Sequence, residues 1–268
     1  MKPTSRPIGI FDSGVGGLTV LKALRERMPD EQYLYLGDTA RLPYGTKTSD
    51  TVRRYALNAA SHLNRHQIKL LVVACNTASS FALDEVAAAS PVPVVGVVHP
   101  GVRAALFTGA ERIGVIGTEG TIRSASYQEA LTGLGTVVDV RAAACPLFVP
   151  LAEEGWGDHP VTDQVARHYL APLLEWGADA LILGCTHYPL LRPSLRRVVG
   201  PKIHLVDSAS SVADTVVSDY AELIDTGHGA RGDVHIQLTD ASDRFLRITN
   251  AILGRDPEHL EVVDIDQA

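Results

Sequence analysis

Short runs of apolar residues alternate with amphipathic stretches along most of the chain. Residues 8–11, 33–36, 70–74 and 92–95 are too short for helices and too continuously apolar for strands with one wet face, so they read as strands buried on both faces. Between them, Leu18, Leu21 and Leu24 recur on one face of a helix over 18–28, and Ser49 reads as the cap of a long helix ending near His66. The alternation restarts with strands at 113–116, 137–141, 180–183 and 204–206. Buried strands separated by helices predict an α/β fold with mainly parallel sheets. Beyond Val206, Asp207-Ser208 predicts a cap and a helix to about Ile224. A loop over 227–232, a strand over 235–238 and a helix over 243–253 follow. This last segment is long enough to return and cover the first sheet.

The restart has the form of a repeat. Ile8-Gly9-Ile10-Phe11-Asp12-Ser13-Gly14 is similar to Ile113-Gly114-Val115-Ile116-Gly117-Thr118, and Leu70-Leu71-Val72-Val73-Ala74-Cys75-Asn76-Thr77 to Ala180-Leu181-Ile182-Leu183-Gly184-Cys185-Thr186-His187. The two pairs lie at nearly the same offset. A duplication would put one cysteine at the same place in each half.

Composition narrows the class. The 268 residues suit about two domains at roughly 150 residues each. Apolar residues make up 46% and charged residues 21%, enough to fill two cores. The formal charge of −7 is mixed along the chain with no basic stripe, so no nucleic-acid partner is expected. No apolar run approaches the ~18 residues of a membrane span and none at the start resembles a secretion signal, so no membrane partner and a cytoplasmic location are expected. Three cysteines without a CxxC pair fit a reducing compartment better than a disulfide framework.

Cys75 and Cys185 each follow a predicted buried strand directly, where parallel sheets carry their sites. Either alone would read as an inert buried thiol; a matched pair points to chemistry. Cys145, before Pro146, lacks that context and reads as structural. Two facing thiols suit inversion of an α-carbon, in which a proton leaves one face and another arrives on the opposite face. A thiol with a reference pKa of ~8.5 needs tuning to act near neutral pH. Asp12-Ser13-Gly14-Val15-Gly16-Gly17 is neither GxGxxG nor a P-loop. Its amides would hold a carboxylate at a helix start, or else it is a tight turn capped by Asp12 or Ser13. His187 has no further ligands at metal spacing, so no metal is expected; beside Cys185 it is an acid/base partner or a structural residue. Glu153 and Glu154 read as solvated helix residues by pattern. His99-Pro100-Gly101 stays without a reading.

Together these segments, with Gly37-Asp38-Thr39-Ala40-Arg41-Leu42-Pro43-Tyr44-Gly45 and Leu183-Gly184-Cys185-Thr186-His187-Tyr188-Pro189, resemble the aspartate/glutamate racemase superfamily and within it the glutamate racemases. They occur in the family's order over about residues 8–206. The resemblance implies two pseudo-symmetric α/β domains with the active site in the cleft between them: 1–98 completed by 208–268, and 99–207. It implies that Cys75 and Cys185 are the two bases, Asp12 assisting the first, and His187, supported by Glu153, assisting the second. It implies that Asp12, Ser13, Tyr44, Gly45, Asn76, Thr77, Thr118, Thr121, Thr186 and His187 hold the substrate. It further implies cofactor-free interconversion of L- and D-glutamate for peptidoglycan synthesis, and a homodimer. Two alternatives remain, a racemase for aspartate or another acidic compound and a non-catalytic two-lobed amino-acid binder. A thiol redox protein would need the thiols at disulfide distance.

Overall fold

The computed structural model describes residues 6–135, 137–224, 232–254, 257 and 259–265. Its strands are β1 (Ile8–Asp12), β2 (Tyr33–Gly37), β3 (Leu70–Val73), β4 (Val94–Gly96), β5 (Arg112–Gly117), β6 (Asp139–Ala144), β7 (Ala180–Gly184), β8 (His204–Asp207), β9 (Val234–Leu238) and β10 (His259–Val262). They form two all-parallel sheets, in the orders β10-β9-β2-β1-β3-β4 and β6-β5-β7-β8. The two sheets share one plan. β1 lies between β2 and β3 with β4 outside, and β5 lies between β6 and β7 with β8 outside. The repeat read from sequence thus recurs as topology, with β5 standing for β1 and β7 for β3.

Helices α1 (Leu18–Arg27), α2 (Ser49–Arg65), α3 (Asn76–Ala89), α4 (Val98–Phe107), α5 (Glu119–Arg123), α6 (Ser126–Gly133), α7 (Phe148–Glu153), α8 (Pro160–Trp176), α9 (Arg192–Val199), α10 (Ser208–Asp219) and α11 (Asp243–Leu253) cover both faces. On one face of the first sheet, Leu18, Leu21 and Leu24 of α1 pack with Val212 and Val216 of α10 and Ile248 and Ile252 of α11. On the other, Val52, Ala56 and Leu63 of α2 meet Ala82 and Val86 of α3. The second sheet is closed by α7, α8 and α9 on one side and by α4 and α6 on the other. Burial on both faces is why these strands read as unbroken apolar runs.

The differences from the sequence reading have local causes. Thr48 caps α2, its side chain accepting from the Thr51 amide, and Ser49 is already helical. Pro93 has no N–H, and its carbonyl accepts from Leu71, so β4 begins at Val94 and not at residue 92. β6 begins at Asp139: it is an edge strand, and Val137 is 99% exposed, so its apolar residues mislead. α10 stops at Asp219 and a 3₁₀ turn over Ala221–Leu223 follows. Gly232 excepted, the loop expected over 227–232 lies outside the described residues. β10, with its exposed His259 and Glu261, carried no periodic signal. His99-Pro100 lies in the first turn of α4, where a missing N–H costs nothing. Among the described residues no helix is long and apolar enough to cross a membrane.

Candidate active site

Cys75 and Cys185 lie just beyond the C-terminal ends of β3 and β7, and both line one cleft. Cys75 caps α3: its Sγ accepts from the Ala78 amide at 3.4 Å and donates to Ser13 Oγ at 3.3 Å. The thiol is buried, and burial together with the charge of Asp12 pushes its pKa up to about 12. It rests as a thiol.

Asp12 closes β1 behind Ser13 and is fully buried. Its Oδ2 accepts from the Gly14 amide at 2.9 Å, and Oδ1 accepts from Thr186 Oγ1 at 3.3 Å. Burial raises its pKa against the opposing pull of His187 and of bonds from Gly14, Gly17 and Thr186. The glycine-rich turn therefore spends amides on the protein's own carboxylate. Its glycines have a second use. A Cβ on Gly16 would lie 2.5 Å from both His187 Nδ1 and Thr186 Oγ1, so only glycine lets this turn touch the Cys185 loop.

On the Cys185 side, His187 Nδ1 lies 3.9 Å from Cys185 Sγ, and His187 Nε2 lies 3.3 Å from Glu153 Oε1. Burial works to lower the His187 pKa, but Cys185 and Glu153 outweigh it and push it up to about 10. Glu153 is thus not a solvated helix residue; it ends α7 against His187, a placement its local pattern does not reveal. Tyr188 fixes the loop, donating to the Cys145 carbonyl at 2.9 Å and stacking edge-on against Phe148. Cys145 is buried behind this contact.

The remaining expected residues fall into three groups. Thr77, Thr118 and Thr121 close a triangle of hydroxyls at 3.0, 3.2 and 3.1 Å. Tyr44 donates its hydroxyl to Asp38, which is fully buried and also accepts from Thr239. Asn76 binds Tyr127 and Ser208. Ser13, Tyr44, Gly45, Cys75, Asn76, Thr77, Thr118, Glu153, Cys185, Thr186 and His187 line a single cavity, with Gly14, Leu42, Pro43 and Val149, which sequence reasoning missed. Asp12 and Thr121 stand behind that lining. The cavity is small, about 40 Å³. Hollows of about 470 and 580 Å³ elsewhere contain neither Cys75 nor Cys185. Among the described residues no group of three or more His, Cys, Asp or Glu is placed to hold a metal ion.

A buried thiol on each wall, each with its own ionisable neighbour, can exchange protons with both faces of one carbon. Known proteins identify the family. The family model for Asp/Glu/Hydantoin racemase matches residues 18–216. A glutamate racemase from Geobacter metallireducens is 51% identical, covering 93% of each chain. The structure of glutamate racemase from Francisella tularensis in complex with D-glutamate superposes with a TM-score of 0.91 at 34% identity, covering 99% of this chain and 100% of that one. That of glutamate racemase from Thermus thermophilus in complex with β-chloro-D-alanine gives 0.88 at 44% identity over 99% of each. The chain belongs to the Asp/Glu/Hydantoin racemase family, and its near relatives are glutamate racemases.

Proposed function

We propose that this protein is a glutamate racemase that interconverts L- and D-glutamate by direct proton transfer between Cys75 and Cys185. The observation that supports this best is the pair of buried cysteines at equivalent strand ends, β3 and β7, lining one cavity in a chain whose relatives are glutamate racemases. One thiolate takes the α-proton and becomes a thiol. The opposing thiol gives its proton to the other face of the carbanion and becomes a thiolate, so charge and protons balance. By the family resemblance, Cys75 deprotonates D-glutamate and Cys185 deprotonates L-glutamate. Asp12 accepts from or returns a proton to Cys75, and His187, steadied by Glu153, serves Cys185. Ser13, Gly45, Asn76, Thr77, Thr118 and Thr186 hold the substrate and stabilise developing enolate charge, with Thr121 bracing the hydroxyl triangle and Tyr44 shaping the loop.

We propose the domain division 1–98 with 208–268, and 99–207. With the cavity between them as small as about 40 Å³, these units part to admit an amino acid and close again to exclude solvent. No cofactor enters the scheme. The product supplies peptidoglycan synthesis, and the protein acts in the cytoplasm as a homodimer, which sedimentation would check.

The test is incubation of purified protein with L-glutamate in heavy water, following optical rotation and deuterium at the α-carbon. Rotation should decay to zero, with solvent deuterium in the product from early turnover. Product that keeps its original proton would mean one shuttling base. Turnover of aspartate in preference to glutamate would move the substrate assignment.

A further inference from the structure

Asn76 follows Cys75 directly and opens α3, and its side chain is held from outside the first sheet. Its Nδ2 donates to Tyr127 Oη at 2.7 Å and to Ser208 Oγ at 2.9 Å. Tyr127 belongs to α6 and is fully buried; Ser208 is the first residue of α10 and is 2% exposed. Ser208 in turn donates its one proton to the Leu183 carbonyl, in the strand that leads to Cys185, at 3.3 Å. That proton being spent, Ser208 can only accept from Asn76. The amide must therefore turn its nitrogen to Ser208 and Tyr127. Its oxygen, Oδ1, is left on the other side, buried and without a hydrogen-bond partner, on a residue that lines the cleft. A buried amide oxygen left unpaired is costly, and what it accepts is a donor.

We infer that Ser208 and Tyr127 are positioning residues that lock the Asn76 amide with its oxygen toward the cleft, where it accepts a hydrogen bond from the substrate α-ammonium. The inference rests on the reading of the cleft as a glutamate site and adds two residues to it, neither of which touches substrate. It also explains why one serine joins the two halves. Through Asn76 and Leu183 the Ser208 hydroxyl bridges the segment beginning at Cys75 to the strand that leads to Cys185.

The test compares two ligands in wild type and in Ser208→Ala. Glutamate carries the ammonium; glutarate is the same dicarboxylate without it. KM is measured for both glutamate enantiomers, and glutarate is measured as a competitive inhibitor of racemisation. Without the Ser208 acceptor the amide is free to flip and present N–H to the ammonium. KM for glutamate should rise about tenfold, the size of one lost hydrogen bond to a charged group, while the inhibition constant of glutarate changes less than about twofold. Tyr127→Phe keeps the ring packing and removes only the oxygen; it should shift the same ratio in the same direction and serves if Ser208→Ala does not fold. A folded variant in which both ligands weaken equally makes these residues structural supports and overturns the inference. So does a variant with unchanged preference. A wild-type protein that binds neither glutamate enantiomer would instead sink the function on which the inference rests.

Discussion

The two thiols occupy equivalent places in two sheets of one plan, yet their surroundings have almost nothing in common. Cys75 is backed by a carboxylate and a serine hydroxyl, with a helix amide on its sulfur. Cys185 is backed by an imidazole that is itself held by a carboxylate. Topology places the two thiols, and the loops that follow β1 and β7 give them different neighbours. A duplicated fold can thus supply two facing acids without supplying two identical ones. In the proposed inversion identity would have little use, because a proton leaves toward one wall and a developing lone pair faces the other.

The sharpest way to break the comparison is to remove either sulfur. Cys75→Ala and Cys185→Ala should each lower kcat for both directions by at least about 10³-fold, since neither half can complete an inversion alone. Cys145→Ala should keep activity within a few-fold, because Cys145 contributes its backbone carbonyl to Tyr188 and that survives the substitution. Polarimetry on folded protein checks all three. A folded Cys145→Ala as inactive as the others would mean that the equivalence of β3 and β7 picks out the wrong pair.

The neighbours come next. Asp12→Asn and His187→Asn should each slow turnover about 10²-fold, and the losses should differ with direction. The equilibrium constant between enantiomers is one, so kcat/KM must fall equally both ways in any variant. The difference must appear in kcat and KM taken separately, and in the isotope effect with α-deuterated substrate. Asp12→Asn should slow proton removal from D-glutamate more, and His187→Asn removal from L-glutamate more. Equal isotope effects in both directions for both variants would show that the surroundings differ without dividing the labour.

A steric version of the same test uses the contact between the halves. In Gly16→Ala the new methyl would meet the ring and hydroxyl of the Cys185 loop, so His187 or the turn must shift. We expect about a tenfold loss of kcat, with the Cys185 direction more affected, as misplacing a catalytic group by a fraction of an ångström does. Thermal stability measured alongside separates this from unfolding.

Much of the fold and part of this asymmetry are legible in the chain itself. Burial on both faces makes the strands stand out as apolar runs, and the cysteines announce themselves because each ends such a run. Glu153 does not: by pattern it is one of two acidic residues at a helix end, and only the fold brings it to His187. Asp38 and Asn76 show why the rest is hidden. Asp38 is fully buried by Tyr44 close by and by Thr239 far along the chain, and the partner that fixes Asn76 is equally remote. Hydrogen bonds of this kind leave no period in a sequence, and a strand as exposed as β10 leaves none either.

Among the variants at the site, Glu153→Gln gives the smallest expected effect and the finest measure of the Cys185 side. Burial works to strip the proton from His187; Cys185 and Glu153 oppose it, and the ring holds its proton up to about pH 10. Glutamine keeps the shape and loses the charge, so the His187 pKa must fall. The alkaline limb of kcat/KM should move down by on the order of one pH unit, with only a few-fold loss near neutrality. The limb must move equally in both directions, because kcat/KM is tied by the equilibrium. The same proton is linked to stability. The folded pKa lies above the ordinary imidazole value of 6.5, so the stabilisation is complete below 6.5 and disappears as pH rises through about 10. Glu153→Gln should therefore cost more Tm below pH 6.5 than above pH 10. A folded variant whose alkaline limb stays in place, and whose Tm loss is the same at both ends, would make Glu153 a packing residue. The contrast between the two thiols would then rest on His187 and Asp12 alone.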